Sequence, residues 1–241
     1  MKKKLFIQDN IGFIELLDVF GNDLTVVNAA RVSHHKESHF EEVHDNTGNS
    51  HDNTGNIIGK LSDRDVQLIK FLAQHKHITP FFHPIIRFRI KMPIFVAREW
   101  YRHTVGFARN EMSRRYVTDE PEFFVPGELR KRDKNIKQGS SSEIVPNNQA
   151  HVQDMKQYCT QALAYYNQLL EHGVCPEQAR MILPQSMYTE FIETASLSGY
   201  ARLVKLRIDP TAQREIQSYA HFVSTFLKEK FPVSWDALMQ Y

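Results

Sequence analysis

The chain has 241 residues, of which 41% are hydrophobic and 24% are charged, and its formal net charge is +2. This length can bury a core without covalent cross-links, and so small a net charge gives no argument for nucleic-acid or membrane binding. Its only cysteines are Cys159 and Cys175, which are too few for a disulfide framework and favour a reducing, cytoplasmic location.

The amino terminus does not predict an export or membrane segment. Residues 2–4 are lysines, but the apolar stretch after them ends at Gln8. No segment of the chain approaches the roughly 20 consecutive apolar residues that a membrane-spanning helix requires. We therefore expect a soluble protein without a membrane partner.

The first half of the chain predicts two strands and three helices. In chain order, these elements cover residues 13–19, 23–32, 62–74, 86–92 and 93–101. Asn22 or Asp23 can cap the first helix, because a short polar side chain can accept a hydrogen bond from the free amides of the first turn. Ser62 and Asp65 form a variant capping box for the second helix.

Residues 86–92 carry the clearest strand signal of the sequence. Apolar side chains alternate there with Arg87, Arg89 and Lys91. A period of two is typical of a strand with one buried and one solvent-facing side. Pro93 follows directly and can occupy the first turn of the next helix.

Two polar segments, residues 34–60 and 131–148, are predicted to be flexible loop insertions. The first contains the sequence His-Asp-Asn-Thr-Gly-Asn twice, at residues 44–49 and 51–56. A polar repeat rich in asparagine and glycine cannot bury a core, so we expect it to lie on the surface. The second contains a run of one glycine and three serines at residues 139–142.

The last third of the chain predicts mainly helices. The predicted elements are helices over residues 149–171, 199–206 and 212–230, a short helix from Pro176, and a β-prone run over residues 187–194. Gly173 would end the long helix. Strands and helices are mixed without regular βαβ alternation, and no linker divides the chain. The sequence therefore predicts the α+β class and a single domain over residues 1–241.

The densest group of chemically active side chains lies between residues 98 and 116. If residues 109–116 are extended, Glu111, Ser113 and Arg115 project from one side and place an acceptor, a hydroxyl and a guanidinium in one row. Arginine suits phosphate or carboxylate recognition, because it can donate two parallel, charge-assisted hydrogen bonds. If the segment is helical, Glu111 and Arg115 instead form a surface ion pair at four-residue spacing. The residue types alone leave both interpretations open.

The order of these residues resembles the signature of the flavin-dependent thymidylate synthases, which reads Arg-His-Arg, several residues, then Asn-Glu-x-Ser-x-Arg-Tyr. Arg102 and His103 match its first part, and residues 110–116 match its second part completely. Other segments that resemble the family, in the same order, are residues 21–33, 77–81, 93–98, 179–184 and 206–216. The resemblance covers nearly the whole chain outside the two insertions.

Several positions depart from the family pattern. Thr104 stands where the third signature arginine is usual, and the spacing to the second part of the signature is one residue longer. Glu99 stands where glutamine is common, Phe82 where an acid is frequent, and Thr211 where histidine is frequent. Thr104 weakens one expected phosphate contact with the flavin, and Glu99 would place a carboxylate near the uracil.

The resemblance implies a methyltransferase that converts dUMP to dTMP. It implies methylenetetrahydrofolate as the one-carbon donor and FAD, reduced by NADPH, as the hydride carrier, with the protein supplying orientation and electrostatics. It further implies a mostly antiparallel sheet flanked by helices, and a homotetramer whose active sites combine residues from several subunits. We expect neither a metal nor a nucleic acid as a partner.

The resemblance also assigns residues to roles. Arg207 would be the catalytic residue that polarises the uracil, although a helix-terminal arginine that bonds nearby carbonyl groups is the alternative. The substrate-binding residues would be Glu99, Arg102, Glu111, Met112, Ser113, Arg114, Arg115, Arg180 and Arg207. The cofactor-binding residues would be Ser33, His77, Thr79, Arg102, His103, Thr104, Glu111, Ser196 and Arg202. Ser113 has no general base at local spacing and both cysteines are expected to pack, so no nucleophile is predicted.

Three other functions are compatible with parts of the sequence. His75, His77 and His83 could bind a metal, but no carboxylate or thiolate ligand stands close to them. The cationic residues of the predicted strand 86–92 and of the signature could bind single-stranded nucleic acid. A flavoprotein that has lost synthase activity through the changes at positions 99 and 104 is the third alternative.

Overall fold

The computed structural model describes residues 3–7, 9–42, 59–117, 119–133 and 140–241. The strands are β1 (Lys4–Phe6), β2 (Phe13–Phe20), β3 (Glu41–Glu42), β4 (Gly59–Lys60), β5 (Ile85–Pro93), β6 (Phe107–Glu111), β7 (Arg130–Arg132), β8 (Ser140–Ile144) and β9 (Tyr188–Ser196). Five of them form the central sheet, in the order β1-β2-β5-β9-β6, and every neighbouring pair is antiparallel. The remaining four strands form two separate pairs, β3 with β4 and β7 with β8.

The described residues contain eight α-helices, several of which pack against one face of this sheet. They are α1 (Asp23–Arg31), α2 (Asp63–Gln74), α3 (Ile94–Trp100), α4 (Asn148–Glu171), α5 (Pro176–Ala179), α6 (Leu197–Arg207), α7 (Arg214–Lys230) and α8 (Pro232–Gln240). The buried core lies between the sheet and the helices α1, α2, α6, α7 and α8. The predicted α+β class, with an antiparallel sheet flanked by helices, is confirmed. Within the described ranges, no helix is long and apolar enough to cross a membrane.

The alternating residues of β5 explain why only one face is covered. Ile86, Phe88, Ile90 and Met92 are completely buried beneath the helices. The cations between them lie on the opposite face, and each pairs with a carboxylate of another segment: Arg87 with Asp18, Arg89 with Glu190, and Lys91 with Glu122. Because these charges are matched by neighbouring acids, this face is not a free basic surface, which counts against the nucleic-acid alternative.

The predicted helix boundaries at α1, α2 and α4 are confirmed by their capping contacts. Asn22 accepts a hydrogen bond from the Thr25 amide, and Ser62 accepts one from the Asp65 amide. Gly173 follows α4 with a φ angle of +80°, a left-handed conformation that favours glycine at a helix end. Pro93 is the last residue of β5 and precedes α3, so the prediction that it begins the helix is wrong by one residue.

The last helix, α8, was not predicted, although Pro232 in its first turn is a helix-start signal. Its free amino-terminal amides are satisfied from the other end of the chain. The buried carboxylate of Asp23, in the first turn of α1, accepts hydrogen bonds from the amides of Val233 at 3.0 Å and Ser234 at 2.9 Å. This contact joins α8 to the first helix of the fold.

Neither interpretation of residues 109–116 is correct. The strand β6 ends at Glu111, where its last pairing with β9 lies, and the chain then leaves the sheet. Residues 113–116 form a turn in which the Ser113 carbonyl accepts from the Tyr116 amide at 2.9 Å. Arg115 consequently pairs with Glu177, at 3.4 Å, and neither shares a strand face nor forms an ion pair with Glu111.

The two predicted insertions differ from expectation where the structure describes them. In residues 131–148, strands β7 and β8 pair, and Lys131 forms an ion pair with Glu143 at 2.7 Å. The polar local composition predicts a loop here. The strands form instead through contacts between the two segments, which leave no apolar pattern in the sequence. In residues 34–60, only 34–42 and 59–60 are described, and both copies of the hexapeptide lie outside the described residues.

Candidate functional site

A cleft of about 800 Å³ opens between the end of α3, the connection from α6 to α7, and the β7–β8 pair. Its lining carries more positive than negative charge. The cationic residues are Arg102, Arg130, Lys205, Arg207 and Arg214, and the acidic ones are Glu99 and Asp209. Such an excess of guanidinium groups suits a ligand that carries phosphate or carboxylate groups.

Arg207 is held at this cleft by contacts from another helix. It is the last residue of α6, and its side chain is 19% exposed. Its Nε donates to Nε2 of His103 at 3.0 Å, and its terminal nitrogens approach the Glu99 carbonyl oxygen at 3.1 Å and the Glu99 carboxylate at 3.5 Å. These partners all lie in or just after α3, and one of them is a backbone carbonyl, so the contacts agree with the helix-terminal alternative as well as with the predicted catalytic role, which stays a prediction. The guanidinium is fixed in place before any ligand binds.

His103 is a neutral hydrogen-bond acceptor in this arrangement. The residue is buried, and burial, followed by the charges of Arg207, Arg109, Arg202 and Arg102, lowers the pKa of its imidazole to about 4. At neutral pH the ring is therefore uncharged, and Nε2 is free to accept the hydrogen bond from Arg207. A charged imidazole would repel the guanidinium groups around it.

The segment after His103 approaches the amino-terminal end of α6. Gly106 has a φ angle of +81°, and its carbonyl oxygen accepts from the Ser196 amide at 3.3 Å. A Cβ at position 106 would lie 3.2 Å from Oγ of Ser196, so glycine permits this close approach. Ser196 is buried and caps α6 through the Gly199 amide. Of the predicted cofactor residues, Ser196 and Arg202 thus lie at α6 and His103 contacts it through Arg207, while Arg102 and Thr104 flank His103 in the chain.

The second part of the signature forms a separate group. The Glu111 carboxylate accepts from the Thr189 hydroxyl at 2.5 Å, and Oγ of Ser113 accepts from Nε of Arg115 at 3.3 Å. Arg114 and Arg115 line a smaller cavity of about 280 Å³. This cavity and the Arg207 cleft share no lining residue. None of Glu111, Met112, Ser113, Arg114 and Arg115 lines the Arg207 cleft of the same chain.

The other predicted site residues lie on the surface. Ser33, His77, Thr79 and Arg180 are all exposed, and none of them lines the Arg207 cleft. His77 stacks on the ring of Phe71, with ring centroids 6.1 Å apart. The turn that carries His77 lies near Lys205 of α6. Burial and then the charge of Lys76, the residue before His77, lower the pKa of Lys205.

Sequence reasoning did not identify three cations of the cleft. Two of them could have been suspected from their neighbours in the sequence. Lys205 lies two residues before Arg207, and Arg214 occupies a variable position within a segment that matches the family. Arg130 gave no such indication. It is positioned by hydrogen bonds to Ser140 at 2.7 Å and to Glu215 at 2.8 Å, both contacts between distant segments.

The contacts of Ser113, of the two cysteines and of the candidate metal ligands bear on nucleophilic catalysis and metal binding. Ser113 contacts Arg115, which cannot accept a proton, so it lacks a general base there. Cys159 is buried beside Ser186, as predicted, but Cys175 is exposed, so its predicted packing role is wrong. In the part of the chain that the structure describes, no group of three histidine, cysteine or acidic residues is arranged to hold a metal ion.

Comparisons with known proteins agree along almost the whole chain. A family model described as thymidylate synthase complementing protein matches residues 15–233. The flavin-dependent thymidylate synthase of Thermus thermophilus is 34% identical over 230 residues, which are 95% of this chain and 76% of that protein. The enzyme of the same name from Kosmotoga olearia is 36% identical over 234 residues, covering 95% of this chain and 91% of that protein.

A solved structure has the same fold. It is the UMP/dUMP methylase PolB from Streptomyces cacaoi bound with 5-Br dUMP, with a TM-score of 0.76 and 27% sequence identity. The match covers 95% of this chain and 94% of that chain.

Proposed function

Because the chain belongs to the family of flavin-dependent thymidylate synthases, its reaction is the methylation of dUMP to dTMP, and we propose that it uses FAD, NADPH and methylenetetrahydrofolate. The cationic cleft around the fixed guanidinium of Arg207 supports this proposal most directly. Each of the proposed ligands carries phosphate or carboxylate groups, which are the groups that arginine binds best.

The residues around α6 fit a phosphorylated flavin cofactor. They offer guanidinium groups, the hydroxyl of Thr104 and the neutral imidazole of His103, without a metal site. We assign the FAD contacts to the predicted residues Ser33, His77, Thr79, Arg102, His103, Thr104, Glu111, Ser196 and Arg202. When bound, the flavin supplies hydride transfer, and the protein supplies orientation and electrostatics.

Arg207 would stabilise the charge that develops on the substrate. Uracil C5 becomes nucleophilic only when negative charge develops on the pyrimidine ring. A guanidinium already fixed by His103 and Glu99 needs no reorganisation to meet that charge, and such a donor is typically worth ~3 kcal/mol. Arg115 and Arg180 would hold the phosphate of dUMP.

The separation of Arg114 and Arg115 from the cleft that holds Arg207 supports a homotetramer with shared active sites. Residues on the turn after β6 would then meet the Arg207 cleft of another subunit. The long helix α4 offers a surface for such contacts, because only Cys159 and Tyr166 are buried along it. Tyr158 and Tyr165 on the same helix are 63% and 51% exposed. The single-domain organisation and the cytoplasmic location stay predictions.

One experiment tests the proposed function. The purified protein is expected to show a flavin absorbance spectrum and to oxidise NADPH faster when dUMP is present. With methylenetetrahydrofolate, mass spectrometry should detect dTMP. UMP serves as a parallel substrate, because the relative from Streptomyces cacaoi is named for both nucleotides. A protein that binds flavin and yields no dTMP would be the inactive flavoprotein, and one that binds no flavin would refute the proposal.

A further inference from the structure

A fully buried carboxylate lies beneath the signature residues. Glu193 is in the middle of β9 and is 0% exposed. Both of its oxygens accept from the indole N–H of Trp100 at 3.1 Å, and one also pairs with Nε of Arg109. A buried charge persists in a folded protein only when such partners satisfy it.

The partners of Glu193 lie on either side of the signature loop. Trp100 is the last residue of α3, two positions before Arg102. Arg109 lies in β6 directly opposite Glu193, one position before Asn110. The carboxylate therefore joins a residue two positions before the first part of the signature to the residue directly before its second part.

Arg109 is enclosed by its neighbours, although its Nη2 is buried without a hydrogen-bond partner among the described residues. Its guanidinium lies over the rings of Phe107 at 4.7 Å and Tyr101 at 5.4 Å, and its side chain is only 15% exposed. Its charge is among those that lower the pKa of His103. A shift of Arg109 would therefore change the surroundings of the neutral imidazole that holds Arg207.

The same carboxylate reaches the helix that carries Arg207. Burial, followed by the nearby Glu193 charge, raises the pKa of Tyr200 on α6. Glu193 thus bonds to residues of α3 and β6 and lies near Tyr200 of α6. An apolar side chain of similar volume would pack in this core, but it could not orient an indole N–H and a guanidinium together.

We propose that Glu193 is a positioning residue, which fixes the two parts of the signature relative to each other by bridging Trp100 and Arg109. It does not contact substrate or cofactor. The proposal rests on the proposed flavin site, because its consequence is measured there. It predicts that FAD binds more weakly when Glu193 loses its charge or its contact with Trp100 or Arg109, at temperatures where the fold is intact.

The primary test compares two buried carboxylates. Glu193→Gln keeps the side-chain shape but leaves Arg109 without a counter-charge. Asp23→Asn is the matched control, because Asp23 is 6% exposed and binds the amides of α8. The dissociation constant for FAD is measured from FAD fluorescence with the full chain, at 15 °C or below. We expect at least a tenfold increase for Glu193→Gln and less than a twofold change for Asp23→Asn.

Two further variants keep the test decisive if Glu193→Gln does not fold. Trp100→Phe removes one bond of the bridge and leaves no charge unpaired, and we expect it to raise the FAD dissociation constant at least threefold. The double variant Glu193→Gln with Arg109→Gln keeps an amide bridge without charge, and we expect an FAD dissociation constant within threefold of wild type.

The outcomes separate this inference from the proposed function. If the wild-type protein binds no FAD, the proposed function fails. If wild type binds FAD and the Glu193 or Trp100 variants bind it equally well, only the positioning role is overturned. An equal loss in Asp23→Asn, or no recovery in the double variant, also overturns it, because the effect would then not depend on the bridge.

Discussion

Replacing Arg207 with lysine separates charge from geometry at the candidate catalytic residue. Lysine retains a positive charge, but its compact ammonium cannot make the planar set of contacts that joins Arg207 to His103 and Glu99. We expect the turnover number for dTMP formation to fall about 100-fold, which corresponds to ~3 kcal/mol of lost transition-state stabilisation. The KM for dUMP should change little, because the affected charge develops only during the reaction.

The assay is dTMP formation measured by mass spectrometry at saturating dUMP, with the flavin content of each preparation determined from its absorbance. Arg87→Lys is the matched control, since it makes the same substitution at an exposed arginine that pairs with Asp18 and does not line the cleft. The control should retain wild-type turnover. A fall of less than threefold in Arg207→Lys, at equal flavin content, would refute the role of a fixed guanidinium.

The remaining predictions concern protonation and the charge of the cleft. Because the pKa of His103 is lowered to about 4, its imidazole should remain neutral at every pH above about 5, and ¹³C NMR of labelled histidine should show no titration of this ring near neutral pH. Burial tends to raise the pKa of Asp65, but hydrogen bonds from Arg31 and two serine hydroxyls outweigh it and lower the pKa. Asp65 therefore stabilises the fold above its unfolded pKa of about 3.9, and this contribution disappears as the pH falls through the lower folded pKa. Asp65→Asn should reduce the free energy of unfolding by about 2–3 kcal/mol at pH 7, with the difference from wild type closing in denaturant titrations at strongly acidic pH. Glu99→Gln removes one negative charge from the cleft, and since a partly exposed ion pair is worth about 0.2–1 kcal/mol, the KM for dUMP should decrease by up to about fivefold in steady-state assays; an increase would contradict this.

The elements with a strong periodic pattern were predictable from the sequence. Residues 86–92 form the centre of β5 because every second side chain is apolar, and the helices α1 and α2 begin directly after Asn22 and Ser62 because those side chains satisfy free amides. Strand alternation and helix capping involve only residues that are close together in the chain, so both can be recognised in the sequence.

The features that escaped prediction depend on contacts between distant residues. At the end of β6, Glu111 and Met112 bond to Thr189 and Glu190 of β9 before the chain turns. The β7–β8 pair is held by side chains such as Arg130, Ser140 and Glu215. The family resemblance supplied the candidate site residues and implied that several subunits share each site, but it did not indicate which of these residues separate within one chain. It also gave no sign of the buried carboxylate of Glu193, which interrupts an otherwise apolar pattern.

The contact between Asp23 and the first turn of α8 constrains how the protein is made. The carboxylate on the first helix has no amide partners until residues 233 and 234 have been synthesised. Core residues of α1 and α2 likewise lack their neighbours on α8 until that point. The nascent chain must therefore carry an unfinished core through almost its whole synthesis. If synthesis stopped before α8, Asp23 would lack its amide partners and the apolar residues that α8 normally covers would be exposed. Such a chain is a target for chaperone binding or degradation.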